Sequence, residues 1–553
     1  MYSFIICLVV LILGYVIYSK IIERLVKVDP ARITPAISLK DGIDYVPMKP
    51  WRIFLIQFLN IAGVGPICGA IMGAQFGTAS FIWIVFGSIF AGAVHDFVSG
   101  FISLRHKGCS LPEIHGRYQG HVAKKIMYVF TFILMVLVGA VFVNTPASLL
   151  HDNFTPDWSV FIWVGIIFAY YLVATLVPID KLIGKIYPIF GFLLLGMAGA
   201  LFVALFLHWD STSIHLPEIW HGMENQHPDK EHNPIFPMMF ISIACGAISG
   251  FHATQSPLMA RCMVNERQAR PIFYGAMIAE GIVALIWAAA ATYFFNEPTL
   301  QLKSAGQSGA QMVGVIANEW FTPVLAVVTI LGVISAAITS GDTALRSCRL
   351  IVAEFFKIDQ KPISKRLLVA IPLFAITGGV LAYSLIDNNG FQTIWRYFAW
   401  ANQVLATVTL WAISVFLVWK GKPYWFAVIP ALFMTAVTSC FIFVAEKEGL
   451  GSLIPRPWGY ALGGFVTLIF AYHFFHWEHT RNPKIIKDGD EDIDYFDKYQ
   501  LAAYYARNKH SLDIVHRVHD RHLRKMIESL REKENVNTKE NVDVDVNMKK
   551  NEN

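Results

Sequence analysis

The apolar positions of this chain come in long blocks of about twenty residues. They lack the short periodic faces of a soluble core and are separated by brief polar connections. Thirteen spans are predicted, near 2–20, 51–74, 80–103, 126–147, 158–178, 186–208, 235–257, 271–295, 322–345, 366–386, 395–418, 424–444 and 458–477. The stretch 306–320 is too short and polar to cross and reads as a short helix on the outer side. The first block lacks the basic start and small-residue cleavage site of a signal peptide, so it is read as a retained helix.

Two blocks are interrupted where they should be most regular. In 51–74 the run Gly63-Val64-Gly65-Pro66-Ile67-Cys68-Gly69 is poor helix material, because Gly costs roughly 1 and Pro roughly 3 kcal/mol against Ala in a helix interior. In 235–257 the interruption is Cys245 to Pro257, with Gly246, Ser249, His252, Thr254 and Gln255 inside it and Pro257 closing the span. Backbone freed at membrane depth is tolerated only when buried in protein or lining a wet cavity. Setting aside the first span and the last two leaves ten, and the broken spans are the first and the sixth of these. Two inverted halves of five follow, and matched breaks in inverted halves point to a transport site. The glycines at 191, 196 and 199 read instead as close-packing positions.

Composition agrees with a polytopic all-α membrane protein. Only 15% of residues are charged and 55% are hydrophobic, against about a quarter charged in soluble domains, and the mean hydropathy is +0.48. The net charge of +5 carries no nucleic-acid signal, since the basic residues sit in loops and the tail. Seven of them lie in 20–52 and six in 345–366, whereas the connections expected outside carry only Lys230, Lys303, Lys447 and Arg456. That asymmetry predicts the N-terminus outside and the C-terminus inside. The expected domains are an N-terminal helix and inner loop (1–50), a first core half (51–208), an outer loop (209–234), a second core half (235–418), two accessory helices (419–477) and a soluble cytoplasmic tail (478–553). The outer-loop histidines match no tight zinc spacing, and the seven cysteines read as small packing residues. No HExxH, GxSxG or paired catalytic carboxylates occur, so no enzyme is expected.

The remaining chemistry lies in polar residues inside the spans, which are expensive there. His95 and Asp96 sit about ten residues before Arg105, roughly 14 Å deep. As neighbours on a helix they point about 100° apart and need not pair. Glu280 lies mid-span, and with His95, Asp96 and Asp342 it is assigned to proton coupling or to structure; Asp342 can pair with Arg346. The substrate is expected between the breaks, at Gly63, Gly65, Pro66, Gly69, Gln75, Gly246, Ser249, His252, Thr254 and Gln255. Exposed amides at a half-helix start suit a carboxylate there. Ala336, Thr339 and Ser340 share one helix face. One carbonyl and two hydroxyls there, with the carbonyls of Ala62 and Gly65, make a candidate sodium site, and no other cofactor is expected.

The segments GVGPICG, AQFG, GAVHDF, RHKGCSLPEI and ACGAISGFHATQSPLMARC resemble the carbon starvation (CstA) family over roughly 50–420. The resemblance implies the five-plus-five fold of the amino acid–polyamine–organocation superfamily. It further implies import of peptides or pyruvate-like acids by sodium or proton symport during starvation, in the inner membrane. Sodium-coupled relatives in that superfamily use the Ala-x-x-Thr/Ser-Ser spacing found here at Ala336, Thr339 and Ser340. The chain is shorter than the larger family members, and its tail departs from theirs. The expected partners are a small-molecule substrate and membrane lipid. A channel-like facilitator is the alternative, weakened by the lack of a ring-forming filter motif.

Overall fold

A computed structural model describes residues 1–176, 179–209, 215–360, 362–387 and 390–480, and the described residues are helical and irregular, without strands. The tail beyond residue 480, with its acidic run and charged stretch, lies outside them. Among the described residues, ten helices are long and apolar enough to cross a membrane, and a bent pair, Pro50–Ile61 with Gly65–Ala74, makes an eleventh. The other two expected spans are the shorter apolar helix Val160–Leu176 and the broken segment 235–260. Several helices outrun the predicted spans: His121–Phe154, Pro323–Phe355 and Gly390–Trp419. Pro323–Phe355 is 33 residues long, about 50 Å, and so exceeds the roughly 30 Å apolar layer.

The first break is narrower than its glycines predict. Ala62 donates to Phe58 O (2.8 Å) and closes the first half-helix, and Gly63 turns back onto Ile61 O (2.8 Å). Pro66 sits in the first turn of the next half-helix, where its missing N–H would have had no partner anyway. The gap is therefore 62–64, and the two halves meet at a 53° bend.

The second break is shifted from the one expected. Helix 235–242 ends at Ser242, the chain is irregular over 243–249, and Gly250–Ala260 resumes from an extended Ser249. His252, Thr254 and Gln255 thus lie on a regular half-helix, and Pro257 does not close the span. Proline forfeits only its own donor, and the ladder continues past it, with Arg261 N–H donating to Pro257 O at 3.2 Å.

The breaks cross each other in opposite senses. A Cβ on Gly65 would lie 2.3 Å from Cys245 Sγ, one on Gly69 2.7 Å from Ser242 O, and one on Gly246 2.6 Å from Ala284 Cβ and 3.6 Å from Pro66 Cα. Only glycine allows this approach. Among the packing glycines, Gly191 abuts Leu55, while Gly196 and Gly199 have nothing within 4 Å.

Connections expected on one face do gather there. Arg105 pairs with Glu266 (3.1 Å), Met48 N–H donates to Cys262 O (3.1 Å), Arg261 donates to Gly108 O (2.9 Å), and Tyr45 donates to Lys107 O (3.0 Å). The connection 104–125 also forms a helix, Leu111–Gln119, which its polar sequence did not announce. On the opposite face Ser308 and Gln311 cap the short helix Gly309–Trp320 reciprocally, as an S-x-x-Q box should.

Candidate functional site

Backbone groups freed by the second break are met by two adjacent amides of helix Gly390–Trp419. Asn402 Oδ1 accepts from Phe251 N–H (2.8 Å), and Asn402 Nδ2 donates to Ser249 Oγ (3.0 Å). Gln403 Nε2 donates to Ala244 O at 3.0 Å. Gly246 O accepts from Ser88 Oγ at 3.0 Å. The amide at the start of this half-helix is therefore satisfied from within, which removes part of the carboxylate receptor expected there.

Behind the crossing lies a fully buried chain of four titratable residues from three helices. His95 Nδ1 and His252 Nδ1 each lie 2.8 Å from Asp96, one on each carboxylate oxygen, and His252 Nε2 lies 3.3 Å from Glu280 Oε2. His95 and Asp96 do pair, because Asp96 bridges its helix neighbour and His252. A carboxylate between two imidazoles accepts from both Nδ1–H groups and sets both tautomers. His252 Nε2 then faces Glu280, close to it but outside hydrogen-bond geometry.

The predicted cation-site residues also converge, on a different carbonyl. Thr339 Oγ1 donates to Leu59 O (3.0 Å) and lies 3.0 Å from Ala336 O; Ser340 Oγ donates to Leu59 O at 3.1 Å. Thr339 Oγ1 also lies 3.0 Å from Ser335 O, so both hydroxyls meet on Leu59 O while Thr339 back-bonds to its own helix; these are neutral oxygens of the type that suits a hard monovalent cation. Ala62 and Gly65 flank Gly63, whose Cβ would lie 2.7 Å from Ser340 Oγ. Asp342 stands apart: Tyr187 Oη reaches its Oδ2 at 3.5 Å. Arg346, the partner expected for it, donates to Ala174 O.

Thr254 Oγ1 donates to Phe251 O (2.6 Å), and Gln255 links Thr254 to Ser347 (2.9 and 3.3 Å). Gln75 lies away from the crossing, on a separate cavity. Sequence reasoning passed over Gln57 and Asn60, fully buried on the first half-helix with no protein partner for their amides. Two amides at i and i+3 in an apolar run were the available signal.

The family model described as carbon starvation protein CstA matches residues 1–168, 150–326 and 307–440. The chain belongs to the carbon starvation protein CstA family. An uncharacterized membrane protein of Haemophilus influenzae is 42% identical over 355 residues, covering 56% of this chain and 95% of that one. The peptide transporter CstA of Helicobacter pylori is 27% identical over 550 residues, covering 77% and 79%. The pyruvate/proton symporter BtsT of Escherichia coli is 30% identical over 344 residues, covering 51% and 48%. Among solved structures, a variant of the manganese transporter of Eremococcus coleocola aligns at 13% identity with a TM-score of 0.49, covering 80% of this chain and 98% of that one. Within the CstA family, the GFHATQSP and VHDF segments of this chain place His252 and Asp96 against each other.

Proposed function

We propose that this CstA-family protein imports a small organic nutrient, a peptide or a pyruvate-like acid, by cation symport in the response to carbon starvation. The chain is a multi-pass transporter of the bacterial inner membrane and not an enzyme. The observation that carries the symport reading is the crossing of two broken helices beside two distinct ion-handling groups. One is the oxygen set of Leu59, Ala336, Thr339 and Ser340. The other is the Asp96–His252–Glu280 chain. The solute passes along the seam between the breaks, and Gln57 and Asn60, buried on the first half-helix, have amides without a partner among the described residues. The face bearing most of the loop lysines and arginines lies in the cytoplasm.

Uptake of labelled pyruvate and alanyl-alanine into proteoliposomes under imposed sodium or proton gradients tests this. Concentrative uptake under one gradient supports symport, and uptake that only equilibrates supports the channel-like alternative. The double change Thr339→Ala with Ser340→Ala removes two of four oxygens and is expected to abolish sodium dependence; an unchanged sodium titration removes the site. Glu280→Gln is expected to spare sodium-driven uptake and slow proton-driven uptake tenfold or more, about 1.4 kcal/mol at the barrier. Equal loss under both gradients would assign Glu280 to folding.

A further inference from the structure

A second polar site lies beyond the crossing, on the face opposite the Arg105–Glu266 pair. A cavity of about 270 Å³ is lined by Cys68 and Gln75 of the first broken segment, His227, Gly309, Trp395 and Arg396, among others. It borders the first broken segment. Cys68 belongs to the Gly65–Gly69 turn, and a Cβ on Gly309 would lie 2.8 Å from Cys68 Cβ.

The charged side chain in its lining is Arg396. Arg396 holds Glu448, from the connection after helix Trp425–Val444, at 2.6 Å. The arginine side chain is 40% exposed and that of Glu448 10%, and the pair engages Nη1 of the guanidinium. The exposed part of the guanidinium can therefore meet a second carboxylate, which competes with Glu448 for it. A guanidinium fork suits the exchange, since it binds carboxylates in two parallel hydrogen bonds.

His227 adds a directed donor. Its Nδ1 accepts from Asp229 N–H at 3.0 Å. Burial pushes this imidazole below its usual pKa, against the hydrogen bond to Asp229, and the nearby Arg396 adds to the lowering. The ring is neutral at pH 7, so Nε2 carries the proton. Trp395 and Phe391 supply an apolar wall for an organic tail.

We propose that this cavity is a docking site for the carboxylate of the transported solute, with Arg396 releasing Glu448 to take it. The proposal rests on the importer reading and supplies the carboxylate receptor that Asn402 partly closes at the second break. The shared ligand chemistry is a small carboxylate with an apolar or amide tail, from either a 2-oxo acid or a peptide C-terminus.

Equilibrium binding to the full-length protein in lipid nanodiscs tests it, using labelled pyruvate, alanyl-alanine and alanyl-alanine amide. The wild type is expected to bind at least one of the two acids and to bind the amide far more weakly; which acid binds identifies the source of the carboxylate. Arg396→Gln is expected to raise that Kd about tenfold or more, Arg396→Lys to restore part of it, and Glu448→Gln to lower it by freeing the arginine. The opposite signs of the changes at 396 and 448 separate docking from misfolding. Equal binding of acid and amide, binding of neither acid, or an unchanged Kd in Arg396→Gln overturns the docking site. Binding that obeys these rules without concentrative uptake leaves the docking site standing and overturns the importer. Normal uptake with an unchanged KM in Arg396→Gln does the reverse.

Discussion

Asp96→Leu is expected to abolish uptake and to lower the thermal unfolding midpoint of the purified protein. Asp96 is fully buried and accepts from His95 and His252 at 2.8 Å each. Removing it strands two buried donors, at about 1–3 kcal/mol each. It also releases the tautomer of His252, so that its Nε2 no longer faces Glu280 in a defined state. Asp96→Asn separates the two effects. An amide keeps the volume but can accept through only one atom, so one imidazole must reverse its tautomer. That variant is expected to fold near normally and to lose proton-driven uptake. Wild-type uptake in the leucine variant would show that the buried chain neither moves a proton nor holds the helices.

Gly65→Ala is the second change with a large expected effect. The added methyl would lie 2.3 Å from Cys245 Sγ and 2.5 Å from its Cβ, well inside contact distance. Overpacking of this kind costs about 1–3 kcal/mol where neighbours can shift. Here it also pushes apart the two breaks on which the site depends. Inserted protein with little uptake is expected. The cure is specific: Cys245→Gly removes the opposing side chain, so the double variant should recover much of the lost uptake. A double-mutant cycle measures that coupling directly, and additive losses would mean the two residues do not meet as described.

How much was legible follows from the range of each signal. Span positions were legible because hydrocarbon thickness imposes a length, and every predicted block has its helix or broken helix. The first break was legible as Gly63–Gly69 because Gly and Pro act locally, but Pro66 restarts a helix as readily as it stops one. Pro257 misled for the same reason, since one missing donor does not end a helix whose other bonds persist.

Partnerships were not legible. Asn402 and Gln403 are ordinary amides in an apolar helix until the second break is laid against them. His95 and Asp96 point apart on an ideal helix, and only His252 arriving from another helix makes Asp96 a bridge. The spacing of Ala336, Thr339 and Ser340 marks one face, but that the carbonyl across it is Leu59's depends on where the first half-helix stops and how it bends. Arg396 and His227 lie 169 positions apart, with no shared motif.

The sequence alone determined the membrane class, the two breaks and the polar residues set inside the spans, because hydrophobic length, proline and glycine act through neighbouring residues. The tertiary structure decided which carbonyl Thr339 and Ser340 meet, which histidine meets which carboxylate, and which residues line the cavity at Arg396. Each of those depends on groups brought together across helices, and the energy of placing them has no counterpart in the local pattern.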